Sequence, residues 1–130
     1  MISLDTIRTH CLKKKGKVTE DFPFDDEILV YKIYGKIFLL MNINAIPLNI
    51  NLKCDPERAI ELRERYDAII PGFHMNKKMW NTIVVDGRLT DKLILELIDH
   101  SYDEVVKKLP IKFAKLIIGD FKKRNALQSN

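Results

Sequence analysis

The sequence has few of the residues on which disulfide scaffolds, metal centres and membrane spans depend. Only two of its 130 residues are cysteine and three are histidine, which is too few for a disulfide framework or a zinc site. Its longest apolar run, residues 37–41, is far shorter than the roughly 20 residues that cross a bilayer. Asp5 and Arg8 precede any apolar run, which argues against a signal peptide. We therefore expect a cytoplasmic protein with reduced thiols and no membrane association.

The motifs of the common enzyme classes are also missing. Gly16-Lys17 has neither the upstream glycine nor the following hydroxyl residue that a phosphate-binding loop requires. His100, Ser101 and Asp103 supply the side chains of a hydrolase triad, but neighbouring residues of one helix point in different directions. We therefore expect no catalytic residue, no bound metal, no cofactor and no small-molecule substrate, and we predict that the protein is not an enzyme.

Basic residues exceed acidic ones, 22 against 18, for a net charge of +4. The excess lies near the two ends, in KKKGK at 13–17 and in KKR at 122–124. Lysine-rich segments bind phosphate backbones by releasing counterions. They also serve simply as a solvated surface that keeps a protein soluble. Composition alone leaves both interpretations open.

Residues 48–66 contain the clearest structural pattern. Leu48, Ile50 and Leu52 alternate with polar residues, which predicts a strand with one buried and one wet face. Asp55 and Pro56 then have the residue types that begin a helix. The alternation places Cys54 on the buried side, so we predict an unreactive thiol there.

Similar patterns predict the remaining elements. Ser101 and Glu104 have capping-box spacing within the longest helix, which indicates a kink or break near His100. After Pro110, a short helix containing Phe113, Leu116, Ile117 and Phe121 is expected to pack on the core, followed by a frayed tail at 122–130. The other predicted elements are a helix to about residue 14, strands at 28–34 and 36–43 joined by a hairpin at Gly35, the strand 48–53, a helix at 56–66, strands at 69–74 and 80–85, and a helix at 91–109.

The element order α-β-β-β-α-β-β-α, with short connections, predicts an antiparallel sheet of about five strands covered on one face by helices. The fold class is thus α+β, a two-layer sandwich of the kind found in secretion chaperones. The opposite face, with Asn49, Asn51 and Lys53, should be partly open. We expect one domain at residues 1–110 and a C-terminal extension at 111–130.

The phrases NLKCDPERAIELRERY (51–66) and PGFHMNKKMWNT (71–82) closely resemble the MmcQ/YjbR family. The resemblance extends from about residue 3 to 109, although Asp25 replaces a glycine that is usual in the family. It implies the two-layer fold and a function in DNA binding through a double-wing motif. The wings would be the hairpin at 34–36 and the connection at 74–80.

The resemblance and the residue types together indicate a nucleic-acid-binding surface. Lysine amines bind phosphates through their charge, side-chain amides form hydrogen bonds with bases or phosphates, and an indole can stack on a base. Trp80 also fits a core position, and His74 and Asn76 also fit a role in ordering a loop. The alternative function is a protein-interaction or chaperone-like module, with a homodimer as an open possibility. The candidate nucleic-acid contacts are Lys53, His74, Asn76, Lys77, Lys78, Trp80 and Asn81.

Overall fold

The described part of the chain folds into six antiparallel strands and four helices. The structure, a computed structural model, describes residues 1–73 and 75–128, with side chains described as far as Gly119. Along the chain the elements are α1 (Leu4–Leu12), β1 (Val18–Asp21), β2 (Ile28–Ile33), β3 (Lys36–Asn42), β4 (Leu48–Lys53), α2 (Pro56–Arg65), β5 (Ile69–Pro71), β6 (Trp80–Val85), α3 (Asp91–Val106) and α4 (Ile111–Gln128). In space the strands follow the order β1-β2-β3-β4-β6-β5.

The predicted α+β architecture with one antiparallel sheet is confirmed. The sheet has one strand more than expected, because Val18–Asp21 pairs with β2 from Val18 opposite Ile33 to Asp21 opposite Val30. This edge strand is short and carries two acids, and such features are common on edge strands because they discourage further pairing. They also weaken the sequence pattern that identifies a strand.

The core lies between the sheet and the helices. Ile50, Leu52 and Cys54 are all buried there, which confirms the predicted orientation of β4. Helix α2 begins where expected, with the Asp55 carboxylate accepting a hydrogen bond from the Arg58 backbone N–H at 3.1 Å. Such a cap supplies an acceptor for one of the otherwise unpaired N–H groups of the first helical turn.

Helix α3 is continuous from Asp91 to Val106, so the predicted break into two helices near His100 is wrong. Ser101 is fully buried and does not cap a new helix. Its hydroxyl donates to the carbonyl oxygen of Phe38 at 2.5 Å and accepts from the backbone N–H of Lys53 at 2.9 Å. The hydroxyl therefore links α3 to the two central strands β3 and β4.

The β2–β3 hairpin turns at Tyr34 and Gly35, as predicted. Both residues have positive φ, 46° and 79°, which is the backbone geometry of a tight two-residue hairpin. Tyr34 stacks on Phe113 of α4, with ring centroids 4.7 Å apart. Helix α4 thus packs back on the core as expected through Phe113 and the buried Ile117, whereas Leu116 is exposed. The side chain of Phe121, the fourth residue predicted to pack there, lies outside the described side chains.

A frayed tail was predicted for residues 122–130. The side chains of this segment lie outside the described ones, and so do residues 129–130 altogether. Backbone helix continues to Gln128. No helix within the described part of the chain is long and apolar enough to cross a bilayer.

Candidate functional site

The turn between β5 and β6 presents the two lysines predicted to contact phosphates. Lys77 and Lys78 are exposed. Asn76 orders this turn: its side-chain oxygen accepts from the Lys78 N–H at 2.9 Å, and its carbonyl oxygen accepts from the Trp80 N–H at 2.9 Å. Asn76 therefore has the loop-ordering role that the sequence left open, while the lysine side chains extend into solvent.

Arg63 of α2 forms hydrogen bonds that connect the same turn to α2 and β6. Its guanidinium donates to the Lys77 carbonyl oxygen at 2.8 Å and to the side-chain oxygen of Asn81 at 3.1 Å. The Asn81 amide nitrogen in turn donates to the Ala59 carbonyl oxygen at 3.4 Å. Asn81 is only 1% exposed, so our prediction that it contacts nucleic acid is not supported by its position.

Lys53 and Trp80 lie opposite each other on β4 and β6. Both are half-buried. A groove of about 480 Å³ lies beside them, at the end of the sheet where β4 finishes. We call this the basic groove, and its lining residues are Gly35, Lys36, Ile37, Lys53, Trp80, Val105 and Lys108.

The basic groove lies at the end of the sheet where the pairing of β3 with β4 stops. Their pairing includes Leu39 opposite Leu52 but goes no further toward the β4 terminus. Beyond that point the Phe38 carbonyl and the Lys53 N–H both bond to the Ser101 hydroxyl instead of to each other. The strands can therefore part without leaving these backbone groups unpaired.

A bulge shapes the other wall of the basic groove. The β2–β3 register shifts, so that Tyr31 pairs with Leu39 while Lys32 pairs with Ile37. Phe38 is the extra residue, and its fully buried ring packs edge-on against Tyr102 at 5.6 Å between centroids. A bulge of this kind redirects the side chains on either side of it, and here it lies next to Lys36 and Ile37.

Positive charge in the basic groove is only partly balanced, by Glu104 near Lys53. Burial lowers the pKa of Lys53, and the nearby Lys108 lowers it further. Glu104 raises it, but that carboxylate already accepts from Lys107 at 3.2 Å. Among the described residues, no aspartate or glutamate lines the basic groove. An anion entering it would reduce the mutual repulsion of the amines.

Lys108 is the component that the sequence analysis missed. It lies in the KKLP segment that follows α3, where nothing in the local pattern distinguishes it from a solvated surface lysine. Lys36 belongs to the hairpin that was expected to act as a wing. The structure brings both to the predicted residues Lys53 and Trp80.

The opposite face of the sheet bears the predicted asparagines but is more apolar than expected. Asn49 and Asn51 lie on it, in a cavity of about 500 Å³. Phe24 and Phe73, 66% and 54% exposed, stand among its lining residues. We call this cavity the trough, and it is lined by Phe24, Ile28, Ile37, Leu40, Met41, Asn42, Asn49, Asn51, Phe73 and Met75.

Gly72 holds β5 close to Trp80. A Cβ atom at this glycine would lie 2.9 Å from the Trp80 Cβ and 2.9 Å from its carbonyl oxygen, closer than side chains tolerate. The Gly72 N–H donates to that same oxygen at 2.9 Å. The backbone at Trp80 is thus fixed, which positions the indole at the basic groove. His74, two residues along, lies outside the described residues, and its role stays a prediction.

The two cysteines are free and buried. Burial raises the pKa of Cys11 to about 12 and that of Cys54 to about 11, so neither forms a reactive thiolate near neutral pH. Within the described part of the chain, no group of three histidine, cysteine or acidic side chains is placed to hold a metal ion.

These features define an α+β protein with helices on one face of an antiparallel sheet, a basic groove at one end and an apolar trough on the other face. A family model for YjbR matches residues 12–104. The chain belongs to the YjbR family.

Similar proteins occur in Escherichia coli and Bacillus subtilis. YbdF of Escherichia coli O157:H7 is 39% identical over 89 residues, which cover 68% of this chain and 72% of YbdF. YyaQ of Bacillus subtilis is 40% identical over 119 residues, covering 78% of this chain and 97% of YyaQ. Both are described as uncharacterised proteins, so their names give no activity.

A solved structure supports the fold. The crystal structure of Deinococcus radiodurans protein DR2400 superposes with a TM-score of 0.83 at 40% identity, covering 88% of this chain and 87% of that one. At this identity the two chains share the fold, and function must be argued from the site.

Proposed function

We propose that this chain is a cytoplasmic, non-enzymatic protein that binds nucleic acid, DNA above all, through the basic groove and the adjoining turn at residues 76–79. The observation that supports the proposal is the convergence of Lys36, Lys53 and Lys108 beside the indole of Trp80. Amines bind phosphate as point charges, and an indole stacks on a base. A nucleotide unit presents both groups together.

The turn extends this surface. Lys77 and Lys78 are exposed at its tip, and within the described residues neither forms an ion pair. The turn is joined to β4 by a hydrogen bond from the Cys54 N–H to the Met79 carbonyl oxygen at 2.8 Å. The lysines of the turn and of the basic groove thus flank one end of the sheet. In the double-wing arrangement that we infer, this turn and the Tyr34–Gly35 hairpin contact the phosphate backbone.

The experiment is a salt titration of binding to random-sequence single-stranded and duplex DNA, followed by fluorescence anisotropy. The double variant Lys53→Gln, Lys108→Gln should weaken binding to all sequences and lower the salt slope by about one to two units. The reason is that binding releases roughly one counterion fewer for each phosphate contact that is lost. Lys92→Gln is the matched control, since Lys92 is exposed on α3 and does not line the basic groove. Absence of binding by the wild-type protein at low salt would refute the proposal.

A specific observation favours the protein-interaction alternative. The trough exposes Phe24 and Phe73, and exposed apolar surface is typical of sites that bind other proteins or a second copy of the chain. If the wild-type protein binds no nucleic acid, self-association measured by analytical ultracentrifugation is the next test. A dimer that dissociates in Phe73→Ala would support the interaction module.

A further inference from the structure

The trough and the basic groove share a lining residue, Ile37, and this suggests a ligand larger than a phosphate. Lys36, Lys53 and Lys108 line the basic groove together with Ile37, and mostly apolar residues line the trough together with it. A ligand that spans Ile37 would be anionic at one end and flat, apolar and hydrogen-bonding at the other.

We propose, on the basis of the nucleic-acid function proposed above, that the preferred ligand is a single strand whose phosphates occupy the basic groove and whose bases lie in the trough. An unpaired base has an apolar face and a hydrogen-bonding edge, and both are accessible in a single strand. In a duplex those faces are stacked and the Watson–Crick edges are paired. Duplex DNA can offer phosphates to the lysines but cannot fill the trough.

The side chains of the trough suit bases. Phe24 and Phe73 are more than half exposed and stand among its lining residues, where their rings are available for stacking. Asn42, Asn49 and Asn51 place amides within the same cavity, and an amide can pair with a base edge as donor and acceptor at once. Among the described residues, no charged side chain lines the trough, so a neutral base meets no buried charge.

The side-chain amide of Asn51 is held in place by a chain of two hydrogen bonds. The Phe73 backbone N–H donates to the Thr82 hydroxyl oxygen at 3.3 Å, and that hydroxyl donates to the side-chain oxygen of Asn51 at 2.5 Å. Thr82 is fully buried, so this chain lies inside the sheet rather than in solvent. These hydrogen bonds fix the Asn51 amide, whose oxygen accepts from Thr82. No described residue accepts a hydrogen bond from the amide nitrogen of Asn51. The nitrogen is therefore left to donate to a ligand.

The test compares a fluorescein-labelled 15-nucleotide thymidine oligomer with a 15-base-pair duplex at the same salt concentration. Phe73→Ala should weaken binding of the single strand by about 5- to 150-fold, the usual effect of losing one stacking partner. Duplex binding and both salt slopes should be unchanged, because no phosphate contact is removed. Phe24→Ala should act in the same direction. Ile60→Ala is the control, since Ile60 is half exposed on α2 and lies outside the trough.

Other outcomes would overturn the inference. If the wild-type protein binds the duplex as tightly as the single strand, and Phe73→Ala changes neither affinity, the trough takes no bases while the proposed nucleic-acid function stands. If the protein binds neither probe at low salt, both proposals fail together. If Phe73→Ala abolishes a dimer and leaves the single-strand affinity within twofold, the trough is a surface between copies of the chain. Thermal unfolding of each variant establishes that it is folded.

Discussion

Ser101 and Lys53 are joined by a 2.9 Å hydrogen bond from the Lys53 backbone N–H to the Ser101 hydroxyl oxygen, 48 residues apart in sequence. The same hydroxyl donates to the Phe38 carbonyl oxygen. One side chain of α3 thus occupies the place of a strand-to-strand hydrogen bond where β3 and β4 part. The basic groove lies at this point of the sheet, so a buried helical serine supports the strands next to a site that it does not line.

Ser101→Ala should destabilise the protein by about 1–3 kcal/mol, because two buried backbone groups would lose their partner. Urea unfolding followed by circular dichroism measures the change. Thr9→Ala, which removes an exposed hydroxyl from α1, should cost less than about 0.5 kcal/mol. Equal stability of Ser101→Ala and wild type would show that the hydroxyl does not support the separated strands.

Native Cys54 should react slowly with a thiol reagent such as DTNB at pH 7, because its pKa is raised to about 11 by burial and little thiolate is present. Its side chain is also buried, with the residue 5% exposed. Both cysteines should react rapidly in denaturant. Labelling of the Cys11→Ser variant separates the two thiols, and fast native labelling of that variant would contradict the buried position of Cys54.

Stability should fall as pH drops from about 7 toward 5, in part because of His100. Its ring nitrogen Nε2 accepts from the Asp55 N–H at 3.1 Å, which requires an unprotonated nitrogen. Burial lowers the pKa of His100, and the nearby Arg58 lowers it further. The contribution of a group with a lowered histidine pKa is present above the unfolded value of about 6.5 and is lost below it.

The His100→Gln variant keeps an acceptor but removes the titrating group. Urea unfolding between pH 5 and 7 should therefore show a smaller loss of stability on acidification in this variant than in wild type. An unchanged pH dependence would mean that other groups cause the whole effect.

The strand β4 shows how far the sequence could predict this fold. Alternation of Ile50 and Leu52 with polar neighbours identified the buried face correctly, because the apolar side chains of that strand lie in the core. On β6 nearly every residue is apolar or small, so the pattern did not reveal that Asn81 points inward to Arg63 and Ala59. An inward polar residue is recognisable only once its partners on α2 are known.

Only part of the candidate site could be predicted from the sequence, for a similar reason. The composition of residues 74–82 predicted Lys77, Lys78 and Trp80 as nucleic-acid contacts, and these residues lie near one end of the sheet. Lys108 was missed because its contact with Lys53 depends on how α3 crosses separated strands. The apolar trough was missed because its residues come from four distant segments, none of which is unusual alone.

The double change Lys77→Ala, Lys78→Ala tests the turn separately from the basic groove. It should weaken DNA binding similarly for all sequences and lower the salt slope by about two units. Stability should change by less than about 0.5 kcal/mol because both side chains are exposed. An unchanged salt slope, with Lys92→Gln as reference, would restrict phosphate contacts to the basic groove.

Trp80→Ala distinguishes stacking from packing. If the indole stacks on a base, single-strand affinity should fall by about 1–3 kcal/mol. Because Trp80 is half-buried, stability should fall by less than the roughly 3–5 kcal/mol that a fully buried aromatic contributes. Trp80→Phe retains an aromatic face and should recover most of the affinity. Loss of stability at the full core value, with no change in the affinity of the protein that remains folded, would assign Trp80 to packing alone and remove the base-stacking element from the basic groove.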